Sequence, residues 1–184
     1  ISGNKGSGLQ AIGLERMIFE DVQVERNLGG GAEVEAAPVE VWTTTFADNI
    51  GTGLVLREGA SGVIEMSHFR NNAGLQLSRI DQLIVRKNGF ENTALGLLSE
   101  NSRPTLTDNN FENNLIAIQV SGNRVPAAMS RNIFAGNRTA VENLSALPLP
   151  AQDNYWGTTD STAISAMIKG AVEWTPFLAE KPGL

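Results

Sequence analysis

Cysteine is missing from all 184 residues. That excludes disulfides, thiolate metal ligands and cysteine nucleophiles, and it leaves the redox compartment open. Histidine occurs once, at His68, so a metal site built from several imidazoles is excluded as well. Charged residues make up 18% of the chain, below the usual quarter. Their net charge of −6 argues against a nucleic-acid-binding surface, which needs a basic face. No apolar run approaches the roughly 20 residues that cross a bilayer, so no membrane span is expected. A phosphate-cradling glycine motif is also missing. The glycines of "NLGGGAE" (Asn27 to Glu33) fall where one repeat unit turns into its next strand, and they are read as serving that turn.

Aromatics are only 6% of the chain, yet most of the phenylalanines recur in one setting. "TTFADN", "SHFRNN", "NGFENT", "NNFENN" and "NIFAGN" place Phe46, Phe69, Phe90, Phe111 and Phe134 at a period of about 22 residues. The same step extends backward to Val24 and Ile1 and forward to Trp156. Flanking columns keep step with these anchors. Three residues after them come Asn4, Asn27, Asn49, Asn72, Thr93, Asn114, Asn137 and Thr159. Two before come Val22, Thr44, Ser67, Asn88, Asn109, Asn132 and Asn154. Five before comes a wholly apolar column: Phe19, Val41, Ile64, Val85, Leu106, Met129 and Ala151.

A unit of this length suits a leucine-rich repeat or one coil of a β-helix, and the leucine and asparagine pattern of the former is not found. Short alternating runs such as "GLVL", "GLQL" and "VIEMS" read as strands that stack in parallel about 4.8 Å apart. Asparagine at a fixed place in each coil then forms a ladder, each amide bonding to its copies above and below. The ladder sits where the coil bends, with the phenylalanine beside it pointing inward. "NNFENN" is accordingly read as one corner of a coil.

The "N-x-F-x-x-N" corners, the period and the closing "NYWG" (Asn154 to Gly157) resemble right-handed parallel β-helix proteins. These form the pectate-lyase-like superfamily, and the likeness is strongest to NosD-like or carbohydrate-binding and sugar-hydrolase repeats. The resemblance implies an all-β, single-stranded right-handed parallel β-helix of seven to eight coils. It covers residues 1 to about 157 and leaves activity open, since that superfamily holds lyases, hydrolases, epimerases, tailspikes and non-catalytic surface proteins. Its lyases use a calcium-binding acidic cluster with a basic proton acceptor, so calcium enters only if the chain is a lyase; otherwise no cofactor is expected.

Residues 158 to 184 are read as a C-terminal cap. "DSTAISAMIKG" reads as a helix with Asp160 or Ser161 as N-cap, Lys169 in the last turn and Gly170 as the stop. Ile164, Met167 and Ile168 share a face that covers the last coil, and "AVEWTPFL" adds an extended segment. Trp156, Trp174 and Phe177 are assigned to this cap rather than to sugar. The chain begins at Ile1 in mid-coil without a visible signal peptide, so it is read as a processed product or an excerpt of something longer. An uncovered first coil also offers a route to self-association, in an oligomer or a fibre.

Outward positions follow by alternation from the inward columns. One outer row runs Glu20, Trp42, Glu65, Arg86, Thr107, Ser130 and Gln152. Trp42, Glu65 and Arg86 on consecutive coils, with His68, Lys87 and Asp108 nearby, form the candidate ligand row. A tryptophan ring stacks on a pyranose face while charged groups hold hydroxyls or a carboxylate. His68 is placed at an exposed corner. No catalytic residue is assigned: the aspartates 21, 48, 81, 108, 153 and 160 are scattered, and no outer row is read as holding two carboxylates on neighbouring coils. The chain is therefore read as a non-catalytic extracytoplasmic module for polysaccharide or a surface protein. A polysaccharide lyase or hydrolase with residues partly outside this segment is the alternative, and an assembly module the third.

Overall fold

A computed structural model describes residues 1 to 183. Its strands form three long parallel sheets wound as one coil of about eight turns, with the coil axis running across every strand, and a two-stranded sheet near the C-terminal end. The first sheet has eight strands: Ser7–Ile12, Gly30–Glu35, Thr52–Arg57, Ala73–Ser78, Leu95–Glu100, Ile116–Ser121, Thr139–Asn143 and Ile168–Lys169. The second holds Met17–Glu20, Val39–Trp42, Ser61–Glu65, Gln82–Arg86, Thr105–Thr107 and Ala128–Ser130. The third holds Gln23–Glu25, Thr45–Ala47, His68–Arg70, Gly89–Glu91, Asn110–Glu112 and Ile133–Ala135.

Each of the five recurring phenylalanines sits at the centre of a three-residue strand in the third sheet, and the rings stack. Phe46, Phe69, Phe90 and Phe111 follow one another at 4.9, 4.8 and 4.6 Å between centroids. Phe134 and then Trp156 close the column at 5.3 and 4.8 Å. All are essentially buried, as is the apolar column of Phe19, Val41, Ile64, Val85, Leu106 and Met129 opposite them. Each such side chain contributes roughly 1.5–3 kcal/mol when fully removed from water. On the first coil, Leu9, Met17 and Val22 hold inward places and are only partly buried.

Each turn on either side of the third sheet hinges on one left-handed residue. Thr43, Met66, Lys87, Asp108 and Arg131 have φ between 46° and 57° and turn the second sheet into the third. Arg26, Asp48, Asn71, Asn92 and Asn113, at 53° to 57°, turn the third into the first. The ladder residue follows directly in every case, and its bonds hold the strained turn in place. "NNFENN" is thus two corners flanking the strand Asn110–Glu112, not one corner.

There are two ladders. In one, Asn88, Asn109, Asn132 and Asn154 are joined by Nδ2 donating to the next Oδ1 at 3.0 Å. The backbone N–H of each coil donates to the same acceptor, at 3.1, 3.0 and 2.8 Å. In the other, Asn4 donates to Asn27 and Asn27 to Asn49; the line resumes from Thr93 to Asn114 and on to Asn137. Between these parts Asn72 donates to the Phe46 carbonyl at 2.9 Å, but its Oδ1 is buried without a partner.

A glycine column runs beside this second ladder. A Cβ at Gly31 would lie 2.1 Å from the Gly53 carbonyl oxygen, and one at Gly74 would lie 2.0 Å from that of Gly96. A Cβ at Gly53 would stand 3.1 Å from both Asn72 Oδ1 and Phe46 Cβ. These glycines make room for the ladder and the ring stack. Gly30 and Gly31 of "NLGGGAE" therefore belong to a strand, and close packing rather than turning explains Gly31.

Beyond Trp156 the helix is shorter than its sequence pattern indicates. It spans Ser161–Ala166, with the Asp160 carboxylate accepting from Thr162 N at 2.9 Å. Met167 is the C-cap, and Ile168–Lys169 leave the helix to pair with Val141 and Glu142. Lys169 is thus a strand residue, not a last-turn residue, because an open sheet edge claims the backbone that a seventh and eighth helical residue would use. Ile164 is buried against the core, with Met167 and Ile168 packed beside it. Val172–Glu173 pairs with Leu149–Pro150, and the Trp174 and Phe177 rings meet at 5.8 Å.

Candidate functional site

The second sheet brings Trp42, Glu65 and Arg86 side by side. Trp42 is the register partner of Glu65, and Glu65 of Arg86. Glu20 precedes them, with Thr107 and Ser130 following in the same row. Although it points outward, Glu65 is only 5% exposed. Arg86 Nη2 lies 2.7 Å from its Oε2 and Lys87 Nζ 3.8 Å from its Oε1, so one carboxylate faces two cations. The neighbouring outward row is Ile18, Glu40, Val63, Ile84, Thr105 and Ala128. Ile18 and Ile84 are about half exposed. Arg16 holds the Glu40 carboxyl below the usual carboxylate range, and the Trp42 indole N–H adds to that effect. The face therefore offers a half-buried indole, aliphatic surface and a net positive trio.

His68 and Asp108 are not part of this row. His68 opens the strand His68–Arg70 on the third sheet, beyond the corner made by Met66 and Ser67. It is exposed, but on a strand rather than at a corner. Asp108 is a corner residue whose carboxylate accepts from Arg131 Nε at 2.7 Å.

One outer row does hold carboxylates on neighbouring coils, contrary to the expectation from sequence. Glu91 and Glu112 are register partners on the third sheet, in a row that also contains Glu25 and Arg70. Lys181 Nζ approaches Glu112 at 3.4 Å. Among the described residues, no three His, Asp or Glu side chains converge as a metal-binding group. No helix among them is long and apolar enough to cross a membrane.

With parallel coils, ladders and outward rows in place, the comparison with known families is decisive. The model of the right handed beta helix region matches residues 1–147. The chain belongs to the right-handed β-helix family. Neither the curated proteins nor the solved structures give a match. Membership accounts for the coil and its handedness, and leaves function to the outward rows.

On this right-handed β-helix, two hollows lie where irregular connections border the second sheet. They meet at Arg103 and Ala127 along the corner between the first and second sheets, with volumes of about 460 and 470 Å³. One is walled by Arg124, Val125 and Pro126, the other by Gly62, Asp81 and Ile84. Arg124 pairs with Asp81 across two coils. Gly62 and Ile84 belong to strands of the second sheet, whereas Asp81 and Arg124 to Pro126 sit in irregular connections that no repeat signal marks.

Proposed function

We propose that this right-handed β-helix is a rigid, non-catalytic extracytoplasmic module that binds polysaccharide along the outer face of its second sheet. The observation that carries this reading is the registered row of Trp42, Glu65 and Arg86. Stacked coils hold the backbone of these residues at a fixed spacing of about 4.8 Å, so binding orders side chains and no backbone. The Trp42 ring supplies a flat apolar surface for a pyranose. Glu65 is already neutralised by Arg86 and Lys87, whose side chains remain 45% and 51% exposed. The surplus positive charge suits the hydroxyls or carboxylates of a glycan. Electrophoresis through gels cast with neutral and uronate polysaccharides, with and without calcium, tests this. Retardation by one polymer that is lost in Trp42→Ala supports it. Unchanged mobility in every gel removes it and turns the search to a protein partner.

Glu91 and Glu112 favour a second reading, a polysaccharide lyase or hydrolase. General acid/base cleavage of a glycosidic bond needs two carboxyls within about 5–10 Å. Chain shortening of a polymer that stops in both Glu91→Gln and Glu112→Gln would support this reading. A polymer left intact after prolonged incubation with the parent protein removes it.

A further inference from the structure

A hollow of about 330 Å³ lies on the outer face of the third sheet, lined by Thr45, His68, Arg70, Gly89 and Glu91. Its origin is Gly89. The outward row reads Gln23, Thr45, His68, Gly89, Asn110 and Ile133, so position 89 is the one place in it without a side chain. The backbone does not require glycine there, since its φ lies outside the left-handed region. A Cβ at position 89 would stand 2.9 Å from His68 Nδ1 and 3.7 Å from Glu91 Oε1. The imidazole thus leans over the vacant place, and the carboxylate reaches its rim.

The polar groups around this hollow are unspent. Among the described residues, the side chains of His68, Arg70 and Glu91 make no hydrogen bond or ion pair with the protein. By contrast, Glu25 and Glu112 in the same row each have a cation, Arg26 and Lys181. Arg70 and Glu91 are register partners on adjacent coils, about 4.8 Å apart at the backbone. A guanidinium only donates, an ionised carboxylate only accepts, and a neutral imidazole does one of each. The guanidinium disfavours a metal ion, and the carboxylate disfavours a simple anion. A neutral hydroxyl accepts as well as donates, so two adjacent hydroxyls match a donor lying beside an acceptor.

We propose that the Gly89 hollow binds one neutral pyranose unit through two adjacent hydroxyls, one accepting from Arg70 and the other donating to Glu91, with His68 against the ring edge. The inference takes its ligand class from the polysaccharide reading, but its site lies on a different sheet from Trp42.

His68 is the sole histidine, so its ring protons form a single set of resonances in a proton NMR spectrum. Titration of the whole protein with neutral methyl hexopyranosides, and with glycerol as an open-chain diol, reads the site directly. At least one glycoside is expected to shift the His68 signals saturably. The affinity should fall about tenfold or more in Arg70→Met, the loss of one charge-assisted hydrogen bond. Gly89→Ala, whose methyl takes the vacant place and displaces the exposed imidazole, should melt like the parent and abolish the shift. Trp42→Ala should leave it intact, so failure here and failure of the second-sheet reading are told apart. No shift with any glycoside up to its solubility limit overturns the proposal. So does an equal shift with glycerol, or a shift that survives in Gly89→Ala.

Discussion

The rings of Phe90 and Phe111 lie 4.6 Å apart and within 7° of parallel. Each is the roof of one coil and the floor of the next, so the column is a continuous contact running along the axis. Removing Phe111 would open a cavity between Phe90 and Phe134, which the backbone pairing on both sides keeps from collapsing. Phe111→Ala is expected to cost about 3–5 kcal/mol, and Phe111→Leu clearly less. Urea denaturation measures both; a loss below about 1 kcal/mol for the alanine variant would show that the stack is not a main support.

The two ladders offer an internal comparison. Asn109 accepts from the backbone and side chain of Asn88 and donates to the Val85 carbonyl and to Asn132. Asn109→Ala leaves buried groups unpaired at about 1–3 kcal/mol each. Asn72 makes a single side-chain bond, to the Phe46 carbonyl, and its Oδ1 has no partner. Asn72→Ala is therefore expected to cost roughly 1 kcal/mol and Asn109→Ala at least about twice that. Equal losses in denaturant melts would contradict the ladder account.

Met66 is the left-handed residue of its turn, at φ 52°, with its side chain about half exposed. A residue other than glycine or asparagine in this region costs about 1–2 kcal/mol. Met66→Gly relieves that strain but loosens the unfolded chain, so a net gain of a few tenths to about 1 kcal/mol is expected. A fall in melting temperature would mean that the Met66 side chain stabilises the fold through packing.

Glu142 accepts from Gln119 Nε2 at 2.6 Å and from Lys169 Nζ at 3.2 Å. The Gln119 bond first, and then the lysine, hold its carboxyl below the usual range despite partial burial. A lowered folded-state value means stability that is present above the ordinary glutamate value of about 4.3 and lost as pH falls through the folded one. Glu142→Gln should therefore melt below the parent at neutral pH, with the gap closing in acid. A gap that is constant with pH would show that the charge contributes nothing.

The parts of this fold that were legible in the sequence are those in which a side chain must meet its own copy. Phenylalanine stacking on phenylalanine and amide bonding to amide force identical residues to recur, and that recurrence survives in the linear chain. The turns from the second sheet into the third left no such trace: Thr43, Met66, Lys87, Asp108 and Arg131 share a backbone conformation and no chemistry. This is why a strand flanked by two corners read as one corner. The glycine column escaped because glycine reads as turn punctuation, whereas Gly31 and Gly74 are strand residues pressed against a neighbouring carbonyl. At the C-terminal end, Ile164, Met167 and Ile168 have helical spacing, but the edge offered by Val141 and Glu142 draws Ile168 into a sheet. The candidate row of Trp42, Glu65 and Arg86 was legible through alternation. The depth of Glu65 and the separation of His68 from that row depend on where the chain turns.

On the proposed function, the inward columns hold the coil while the second-sheet row serves a ligand. Trp42→Ala tests it most directly, by thermal melting and by mobility in the polysaccharide gel that retards the parent protein. The variant should melt within a few degrees of the parent, as for a surface substitution, and should lose the retardation. A variant that keeps the parent's retardation would contradict the proposed function, and would leave Trp42 as no more than a partly covered side chain on an outer strand.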